Sequence, residues 1–337
     1  MTSKELAKKL GISESAVSFA LNNKPGVSKE TRELVMKAAL DAGIQTRRSG
    51  RSKEGNGIIY IVYFKRKGVV LCDSTFFNEV ESGIESAITE SGYKLNQINI
   101  YTTDQLVDQL NDLVKINASG VLLIATEMLP DDFFSLAFYD LPIVIVDNHF
   151  STSKIDSVQI NNTDSAYNAT NYLINKRRQQ PGYLHSSYSI NNFEERKNGF
   201  YNAIKYNGMP VSDSIVHELS PSVEGAFSDM LSIIGSGEKL SPCYFADNDY
   251  IAIGAMRAFI KKGYRIPEDI SIIGFDDITL ASYITPSLTT VSVPKFYLGA
   301  VSARHLISKI GSDEFTYPIN IQISTGLVVR NSIKANF

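Results

Sequence analysis

The chain has 337 residues, of which 43% are hydrophobic, and its 17 Phe and 17 Tyr exclude a wholly disordered protein. A formal net charge of −3 excludes a chain that is basic throughout and coats nucleic acid. The charge is unevenly placed: residues 1–56 carry eleven Lys and Arg against six acidic residues, a net +5, whereas the other 281 residues carry −8. A basic head on an acidic body indicates that one end of the chain meets a polyanion.

At roughly 100–200 residues per domain, the length predicts two or three domains. Cys72 and Cys243 lie far apart and are interpreted as reduced, packed thiols. The start of the chain lacks the apolar core of a signal peptide, and no run approaches the roughly 18 apolar residues of a membrane span, so we expect a cytoplasmic protein. The histidines show no metal-ligand spacing, so we expect neither a metal nor a cofactor; they are His149, His185, His217 and His305.

Three short helices are predicted in the first 45 residues. The first, Ser3–Leu10, ends at Gly11, a residue suited to the left-handed position after a helix. Ser13 is placed to cap a second helix over 14–22, and Ser28 to cap a third. This is the plan of a helix-turn-helix, whose second helix enters the major groove of DNA. A three-helix bundle without a DNA role has the same spacing, but the +5 charge and the serines at two helix N-termini favour DNA.

The head also resembles a known family. Its Gly-Ile-Ser-x-x-x-Val-Ser at 11–18 and Gly-Val-Ser-x-x-Thr-Arg at 26–32 are similar to the DNA-binding head of the LacI/GalR family of bacterial transcriptional regulators. The resemblance implies phosphate contacts from Thr2, Ser13, Ser28 and Thr31, base contacts from Glu14 and Ser15, and a position near the DNA backbone for Asn22. Phe19 departs from the family pattern, which usually has Arg there.

A basic linker follows the head over residues 47–56. The family continues at this point into a Tyr-x-Pro-Asn-x-x-Ala-Arg segment that forms a hinge helix in the minor groove, and this chain lacks that segment. Arg47, Arg48 and Arg51 on a flexible arm can enter a narrow A·T minor groove. The alternative is a solvated linker that attracts phosphates only diffusely.

From Gly57 onward, strands and helices alternate. Continuous apolar runs such as Ile58–Phe64 are typical of parallel strands covered on both faces, and the βαβαβ succession predicts a doubly wound sheet. The pattern then restarts, which predicts two α/β lobes around a cleft, with crossovers near 158–160, 289–293 and 324–327. The predicted strands are 58–64, 94–100, 120–125, 142–147, 182–186, 214–219, 242–246, 270–275 and 319–324. The predicted helices are 76–88, 103–116, 164–175, 195–207, 223–234, 250–262 and 297–310.

Polar residues follow several predicted strands, at the end where α/β folds bind ligands. They are Asp147, the Asp247-Asn248-Asp249 run and Asp276-Asp277, joined by Arg196 at the start of a helix. Carboxylates accept hydrogen bonds while Arg and Asn donate them, so this set suits a hydroxyl-rich ligand. Phe76 and Phe77 can cover the C–H face of a sugar ring. Taken singly, each Asp is better explained as a helix cap or turn residue, and at least one of the two Phe residues is expected in the core.

The resemblance to the LacI/GalR family extends over nearly the whole chain. Arg-x-x-Gly-Phe at 196–200, Asn-Asp-x-x-Ala-x-Gly at 248–254 and Gly-Phe-Asp-Asp at 274–277 match its motifs. The fold class it implies is α/β: two periplasmic-binding-protein-like, doubly wound lobes, preceded by a small all-α head. The effector contacts it implies come from Phe76, Phe77, Asp147, Arg196, Asn248 and Asp276. The Lys65-Arg66-Lys67-Gly68 loop before the aromatic pair is expected to displace that wall.

These features predict a homodimeric DNA-binding repressor whose affinity for a roughly palindromic operator is controlled by a sugar or sugar phosphate. The predicted domains are a head (1–46), a linker (47–56) and a two-lobed body (57–337), with lobes of 57–158 plus 291–324 and of 159–290 plus 325–337. Two other classes remain open, a soluble sugar-binding receptor without a DNA role and an α/β enzyme that uses Asp276 or Asp249 as base. No Gly-rich phosphate loop or Gly-x-Ser-x-Gly motif supports the enzyme.

Overall fold

The structure is a computed structural model of the chain. It describes residues 3–21, 26–28, 31–32, 34–35, 37–38, 57–71, 74–133, 136, 141–150, 155–310 and 317–334.

The N-terminal head begins with two short helices, α1 (Ser3–Leu10) and α2 (Glu14–Leu21). Gly11 ends α1 with a left-handed φ of 66°, which a glycine adopts without steric cost. The Ser13 hydroxyl accepts a 3.1 Å hydrogen bond from the Ala16 backbone N–H, so it caps α2 as predicted. The helix, glycine turn and capped helix expected of a helix-turn-helix are therefore present.

A third helical segment follows and is described in part between Thr31 and Ala38. Ser28 begins it, because its hydroxyl accepts a 3.2 Å hydrogen bond from the Thr31 N–H. Fully buried Leu6 of α1, Val17 of α2 and Val35 of this segment share one small apolar cluster. The three segments therefore hold one another by apolar burial.

The body contains two six-stranded sheets joined by crossing connections. Its first part contains β1 (Ile58–Phe64), α3 (Ser74–Glu90), β2 (Lys94–Ile100), α4 (Thr103–Lys115), β3 (Gly120–Ile124), β4 (Ile143–Val146) and β5 (Asp156–Ile160). Its second part contains α5 (Asn162–Arg177), β6 (Gly182–Ser186), α6 (Asn191–Tyr206), β7 (Val216–Leu219), α7 (Val223–Ser236), β8 (Cys243–Ala246), α8 (Asp249–Lys261), β9 (Ser271–Asp276), α9 (Thr279–Tyr283) and β10 (Thr289–Ser292). The chain then adds α10 (Lys295–Lys309), β11 (Asn320–Ile323) and β12 (Gly326–Val328).

The order of strands in the first sheet is β11-β5-β4-β3-β1-β2, and all of its pairs are parallel. The second sheet has the order β12-β10-β9-β8-β6-β7 and is parallel except for its β12 edge. The carboxyl ends of the strands in each sheet therefore meet at one edge, where ligands bind in such folds. The predicted α/β class with two doubly wound lobes is confirmed.

The predicted lobe boundaries are displaced by two residues. Gln159 and Ile160 still pair with β11 in the first sheet, although the second lobe was expected to begin at 159. Val291 and Ser292 still pair with β9 and β12 in the second sheet, although the first lobe was expected to resume at 291. The ladders continue until the backbone turns at Asn161 and Pro294, and the apolar pattern of the sequence does not mark those turns.

One helix begins well before its predicted start. The helix expected over 195–207 begins at Asn191, after an extended Ile190 without a side-chain cap. Asn191 and Asn192 have low helix propensity, but their side chains bond across the cleft and hold this first turn. In the described part of the chain, no helix is both long and apolar enough to cross a membrane.

Candidate functional site

A cavity of about 300 Å³ lies between the two lobes, at the carboxyl ends of their strands. Its wall includes all six residues predicted to contact an effector, namely Phe76, Phe77, Asp147, Arg196, Asn248 and Asp276. The sequence separates the outermost of these residues by 200 positions, so their convergence is a property of the fold. Their assignment as ligand contacts stays a prediction.

Arg196 lies in the second turn of α6 and is only 4% exposed. Its Nε donates to Asn162 Oδ1 at 2.9 Å, and its Nη1 donates to the Asp247 carbonyl at 2.5 Å. Its Nη2 lies 3.2 Å from Asp276 Oδ1, and the guanidinium stacks 3.7 Å from the ring centre of Phe275. This fixed guanidinium can present its remaining N–H groups to a ligand in one orientation only.

Asp276 ends β9 in the left-handed region, with a φ of 104°. Burial raises the pKa of Asp276, while the positive charges of Arg196 and Lys295 oppose that rise. Its Oδ1 is buried and has no hydrogen-bond partner among the described residues, because the contact with Arg196 is an ion pair without hydrogen-bond geometry. The charge of this carboxylate is thus balanced by a cation, while its hydrogen-bonding capacity is not saturated within the described chain.

Asp147 follows β4 and lies opposite Asp276 across the cavity, also with a left-handed φ, of 61°. Its Oδ2 accepts a 2.7 Å hydrogen bond from the Thr126 hydroxyl. Burial raises the pKa of Asp147 to about 6, against the effects of the Thr126 hydrogen bond and the charge of Arg196. Strained backbone at two facing carboxylates is typical of a functional site.

Asn248 and Asp249 have different structural roles. The Asn248 side chain accepts a 2.9 Å hydrogen bond from the Ile251 N–H and so caps α8. Asn248 also belongs to the wall of the cavity. Asp249 is fully buried, with hydrogen bonds from the Thr290 hydroxyl and the Ile278 N–H, so it fastens α8 to the second sheet and is not placed to act as a base.

The two phenylalanines, Phe76 and Phe77, differ in how deeply they are buried. Phe77 is 7% exposed and meets Tyr63 edge to face, with ring centres 6.2 Å apart. Phe76 is half-buried, and its ring centre lies 5.0 Å from that of Phe77. Both rings line the cavity, and the expectation that the preceding loop displaces this wall stays a prediction. The loop itself adds Val69 and Val70 to the lining.

Some cavity residues carried no signal in the sequence. Thr126, Asn192 and Tyr250 line the cavity and contact the other lobe or a predicted residue, but no motif marks them. Asn192 Nδ2 donates to the Asp147 carbonyl at 3.2 Å across the cleft, while its Oδ1 has no partner in the described structure. Their positions depend on how the two lobes meet, which short-range patterns do not encode.

Further hydrogen bonds join the lobes around the cavity. The hydroxyls of Thr75 and Tyr250 lie 3.0 Å apart, and Asn191 Nδ2 donates to Asn148 Oδ1 at 3.1 Å. The buried Lys295 at the start of α10 donates to the Asp277 carbonyl at 3.0 Å, beside a crossover. The cleft is thus in a closed arrangement.

The predicted DNA contacts are only partly described. The side chains of Ser13, Glu14 and Ser15 are exposed at the start of α2, where a recognition helix would read bases. Ser28 is exposed and Thr31 half-exposed at the next helix start, with their hydroxyls 3.0 Å apart. Thr2, Asn22, Arg47, Arg48 and Arg51 lie outside the described residues.

Comparison with known families and proteins gives two domain matches that together cover most of the chain. Residues 66–334 match the family described as periplasmic binding proteins and sugar binding domain of the LacI family. Residues 2–43 match the bacterial regulatory proteins of the lacI family.

Individual relatives match over their full length. The chain is 29% identical over 338 residues, 99% of each protein, to the HTH-type transcriptional repressor PurR of Pasteurella multocida (strain Pm70). It superposes on a complex of the transcriptional regulator CelR with cellobiose, with a TM-score of 0.72, 23% identity, and 98% and 99% of the two chains covered. It also superposes on the lac repressor dimer bound to operator and the anti-inducer ONPF, with a TM-score of 0.71, 21% identity and 99% of each chain covered.

Proposed function

The chain belongs to the LacI family of bacterial regulatory proteins, and on that premise we propose that it is a transcriptional repressor whose affinity for DNA is controlled by a neutral sugar bound between its lobes. One observation carries the proposal. A capped helix-turn-helix and a cavity between two lobes occur in one chain, and the cavity wall contains all six predicted effector residues. We expect it to act in the cytoplasm as a homodimer on a roughly palindromic operator.

The unpaired atoms of the cavity wall support a ligand that donates hydrogen bonds. Asp276 and Asp147 place two carboxylates in the cavity wall, and Asp276 Oδ1 and Asn192 Oδ1 accept no hydrogen bond in the described chain. Sugar hydroxyls both donate and accept, so they satisfy these oxygens and the N–H groups of Arg196 and Asn248. Phosphate oxygens only accept, and they would lie beside two carboxylates. Of the two ligand classes left open by the sequence, the two carboxylates of the wall favour the neutral sugar over the sugar phosphate.

Ligand binding can act on the head through the crossovers. A sugar that contacts Asp147 in one lobe and Arg196 or Asn248 in the other favours the closed cleft over an open one. A change in closure moves the two first lobes of a dimer relative to each other and so alters the placement of their heads. Effector and operator affinities are then coupled in both directions.

The alternatives have less support. A sugar receptor without a DNA role does not account for residues 2–43, which match the DNA-binding part of the family. An enzyme with Asp249 as base is opposed by the hydrogen bonds that occupy both oxygens of that carboxylate. The relative PurR is named as a repressor.

The proposal is tested by fluorescence anisotropy of the full chain on a duplex from the region upstream of its own gene. D-glucose, D-ribose and cellobiose are compared with glucose 6-phosphate and ribose 5-phosphate at equal concentration and ionic strength. We expect at least one neutral sugar to change the operator Kd by tenfold or more and neither phosphate to change it. A response to a phosphorylated sugar alone would contradict the proposed ligand class, and no binding to any duplex would contradict the repressor.

The salt dependence of operator binding tests whether the linker touches DNA. Each phosphate contact adds about 0.9 to the slope of log K against log salt concentration. Replacing Arg47, Arg48 and Arg51 together by Ala is expected to flatten that slope by at least one contact per protomer. The matched control replaces three exposed second-lobe lysines, Lys205, Lys239 and Lys262, by Ala, which removes the same charge. An equal slope in both variants would show that the arginines do not contact phosphates.

A further inference from the structure

A buried carboxylate in the first lobe holds the loop at one side of the cavity. Glu127, three residues after β3, is 1% exposed. Its Oε2 accepts hydrogen bonds from the backbone N–H groups of Lys67 at 3.0 Å and Gly68 at 2.8 Å. Its Oε1 accepts from those of Val70 at 2.8 Å and Leu71 at 3.2 Å. We call residues 66–71 the rim loop, and one ionised side chain therefore organises four of its six amides.

Hydrogen bonds from backbone N–H groups to a charged carboxylate are stronger than those to a neutral acceptor. Glutamate supplies two acceptor oxygens and no donor, which is what four converging N–H groups require. Gly68 takes a left-handed φ of 66°, which lets the chain wrap the carboxylate. The rim loop thus has the form of an anion-binding nest filled by the chain's own Glu127.

A second carboxylate secures the start of the rim loop. Arg66 pairs with Asp132, which also accepts hydrogen bonds from the Thr103 hydroxyl at 2.7 Å and the Leu129 N–H at 2.8 Å. These contacts, with the Arg66 guanidinium, hold the pKa of Asp132 below its usual range in spite of burial. Both anchors belong to the short segment after β3, so the position of the rim loop depends on that segment.

The rim loop faces the cavity and the second lobe. Val69 and Val70 line the cavity, and both contribute apolar surface beside the polar wall formed by the lobes. Lys67 extends its ammonium to 5.6 Å from the ring centre of Tyr188, which belongs to the second lobe. Burial and the negative charge of Glu127 raise the pKa of Tyr188. The loop is therefore an element that touches ligand space and the closing lobe together.

We propose that Glu127 is a positioning residue for effector binding, and that the rim loop it holds contributes to effector affinity through Val70. This rests on the proposed function, since it names a determinant of that same site. The carboxylate does not contact the ligand. The carboxylate fixes the backbone of the rim loop, and that backbone presents the Val70 side chain to the ligand. Because the loop is already ordered in the free protein, ligand binding does not have to pay the entropy of ordering it.

Three variants of the full chain test this. Glu127→Gln keeps the size of the side chain but replaces one acceptor oxygen by a donor, so at least two rim-loop N–H groups lose their partner. Val70→Ala keeps every backbone N–H and removes only apolar contact. Asp131→Asn removes one charge from an exposed neighbour that makes none of these bonds and is the matched control.

Two measurements are made below the melting temperature of every variant, by hydrogen-exchange mass spectrometry of residues 67–71 and by calorimetric titration. The titration uses whichever of D-glucose, D-ribose and cellobiose binds the unmodified chain most tightly. Glu127→Gln is expected to exchange its rim-loop amides at least tenfold faster and to bind the sugar about tenfold more weakly. Val70→Ala is expected to weaken sugar binding with unchanged exchange, and Asp131→Asn to change neither.

Unchanged rim-loop exchange in Glu127→Gln would overturn the proposal, as would an unchanged sugar affinity in both Glu127→Gln and Val70→Ala. A Glu127→Gln chain that exchanges fast but binds sugar normally would reduce Glu127 to a purely structural role. Failure of the unmodified chain to bind any of the three sugars would count against the proposed effector class instead, and the exchange result would still decide whether Glu127 holds the loop.

Discussion

Replacing Arg196 by Ala is expected to abolish the sugar response, with sugar affinity lowered by more than a hundredfold while operator binding without sugar is retained. The guanidinium is the one cationic group in the cavity wall of the described structure, and it is held by Asn162, the Asp247 carbonyl and Asp276. Its removal takes away donors to the ligand and breaks the ion pair with Asp276, which leaves Lys295 as the positive charge acting on that carboxylate. The helix-turn-helix is built from other residues and keeps its own core.

The same substitution also lowers stability. Breaking a buried ion pair by removing one partner costs roughly 3–5 kcal/mol, because a charge is left unpaired. Arg196→Lys separates the two effects, since it keeps the positive charge but cannot reproduce the fork that bonds Asn162 and the Asp247 carbonyl together. Arg265→Ala is the control, because that residue is exposed on the same lobe and forms its ion pair with Asp269, away from the cavity wall. Sugar affinity is measured by calorimetric titration and operator affinity by anisotropy. If both Arg196→Lys and Arg196→Ala bound sugar as tightly as the unmodified chain, Arg196 would not be part of the site.

Asp147→Asn is expected to stabilise the protein and to impair sugar binding. Burial raises the pKa of Asp147 to about 6 from 3.8, so the folded chain is penalised for its charge at neutral pH. A shift of about two units corresponds to roughly 3 kcal/mol, of which we expect 1–3 kcal/mol to be recovered by the neutral amide. Asn also tolerates the left-handed φ of 61° at this position and can still accept from Thr126.

The pH dependence of this gain has a definite sign. Below about pH 6 the folded carboxyl of the unmodified chain takes up a proton, while the unfolded chain does so only near 3.8. The unmodified chain therefore gains stability as the pH falls through this window, and the advantage of Asp147→Asn shrinks towards pH 4. Melting temperatures at pH 7.5 and 5.0 measure it, with Asp131→Asn as an exposed control. An equal melting temperature at pH 7.5 would contradict the stated cause of the shift.

The sugar affinity of Asp147→Asn is expected to fall, whereas its stability is expected to rise. An ionised carboxylate is the stronger acceptor for sugar hydroxyls, so Asp147→Asn is expected to weaken sugar binding about tenfold. The affinity of the unmodified chain is expected to fall as the pH drops below about 6, whereas that of Asp147→Asn stays flat over this range. The ionised carboxylate of Asp147 then lowers the stability of the fold and strengthens sugar binding, a combination that is common at functional sites.

Several elements could be predicted from the sequence because their signals are local. The apolar run of β1 and the serine caps at Ser13 and Ser28 depend on neighbours a few positions away. The six effector candidates could be predicted because parallel strands bring their carboxyl ends to one edge, and because the motifs that contain Arg196, Asn248 and Asp276 resemble a known family.

Other features depend on contacts that no short pattern encodes. Glu127 is a single acidic residue after a strand, which is typical of an exposed turn, and only the fold brings four amides 56 to 60 positions away onto its carboxylate. Asn192 looks like part of a loop until its amide is seen to bond the Asp147 carbonyl of the other lobe. Both were missed because their role depends on the packing of distant segments.

The central claim is that a sugar in the cleft and DNA at the head are energetically coupled in this chain. The most direct test measures two pairs of dissociation constants. The first pair is the sugar Kd of the free protein and of the protein saturated with operator duplex, and the second is the operator Kd with and without saturating sugar. We expect the two ratios to be equal and to differ from one by a factor of ten or more, because coupling between two binding sites is reciprocal. A sugar that binds the cleft with the same affinity whether or not the operator is bound would contradict it.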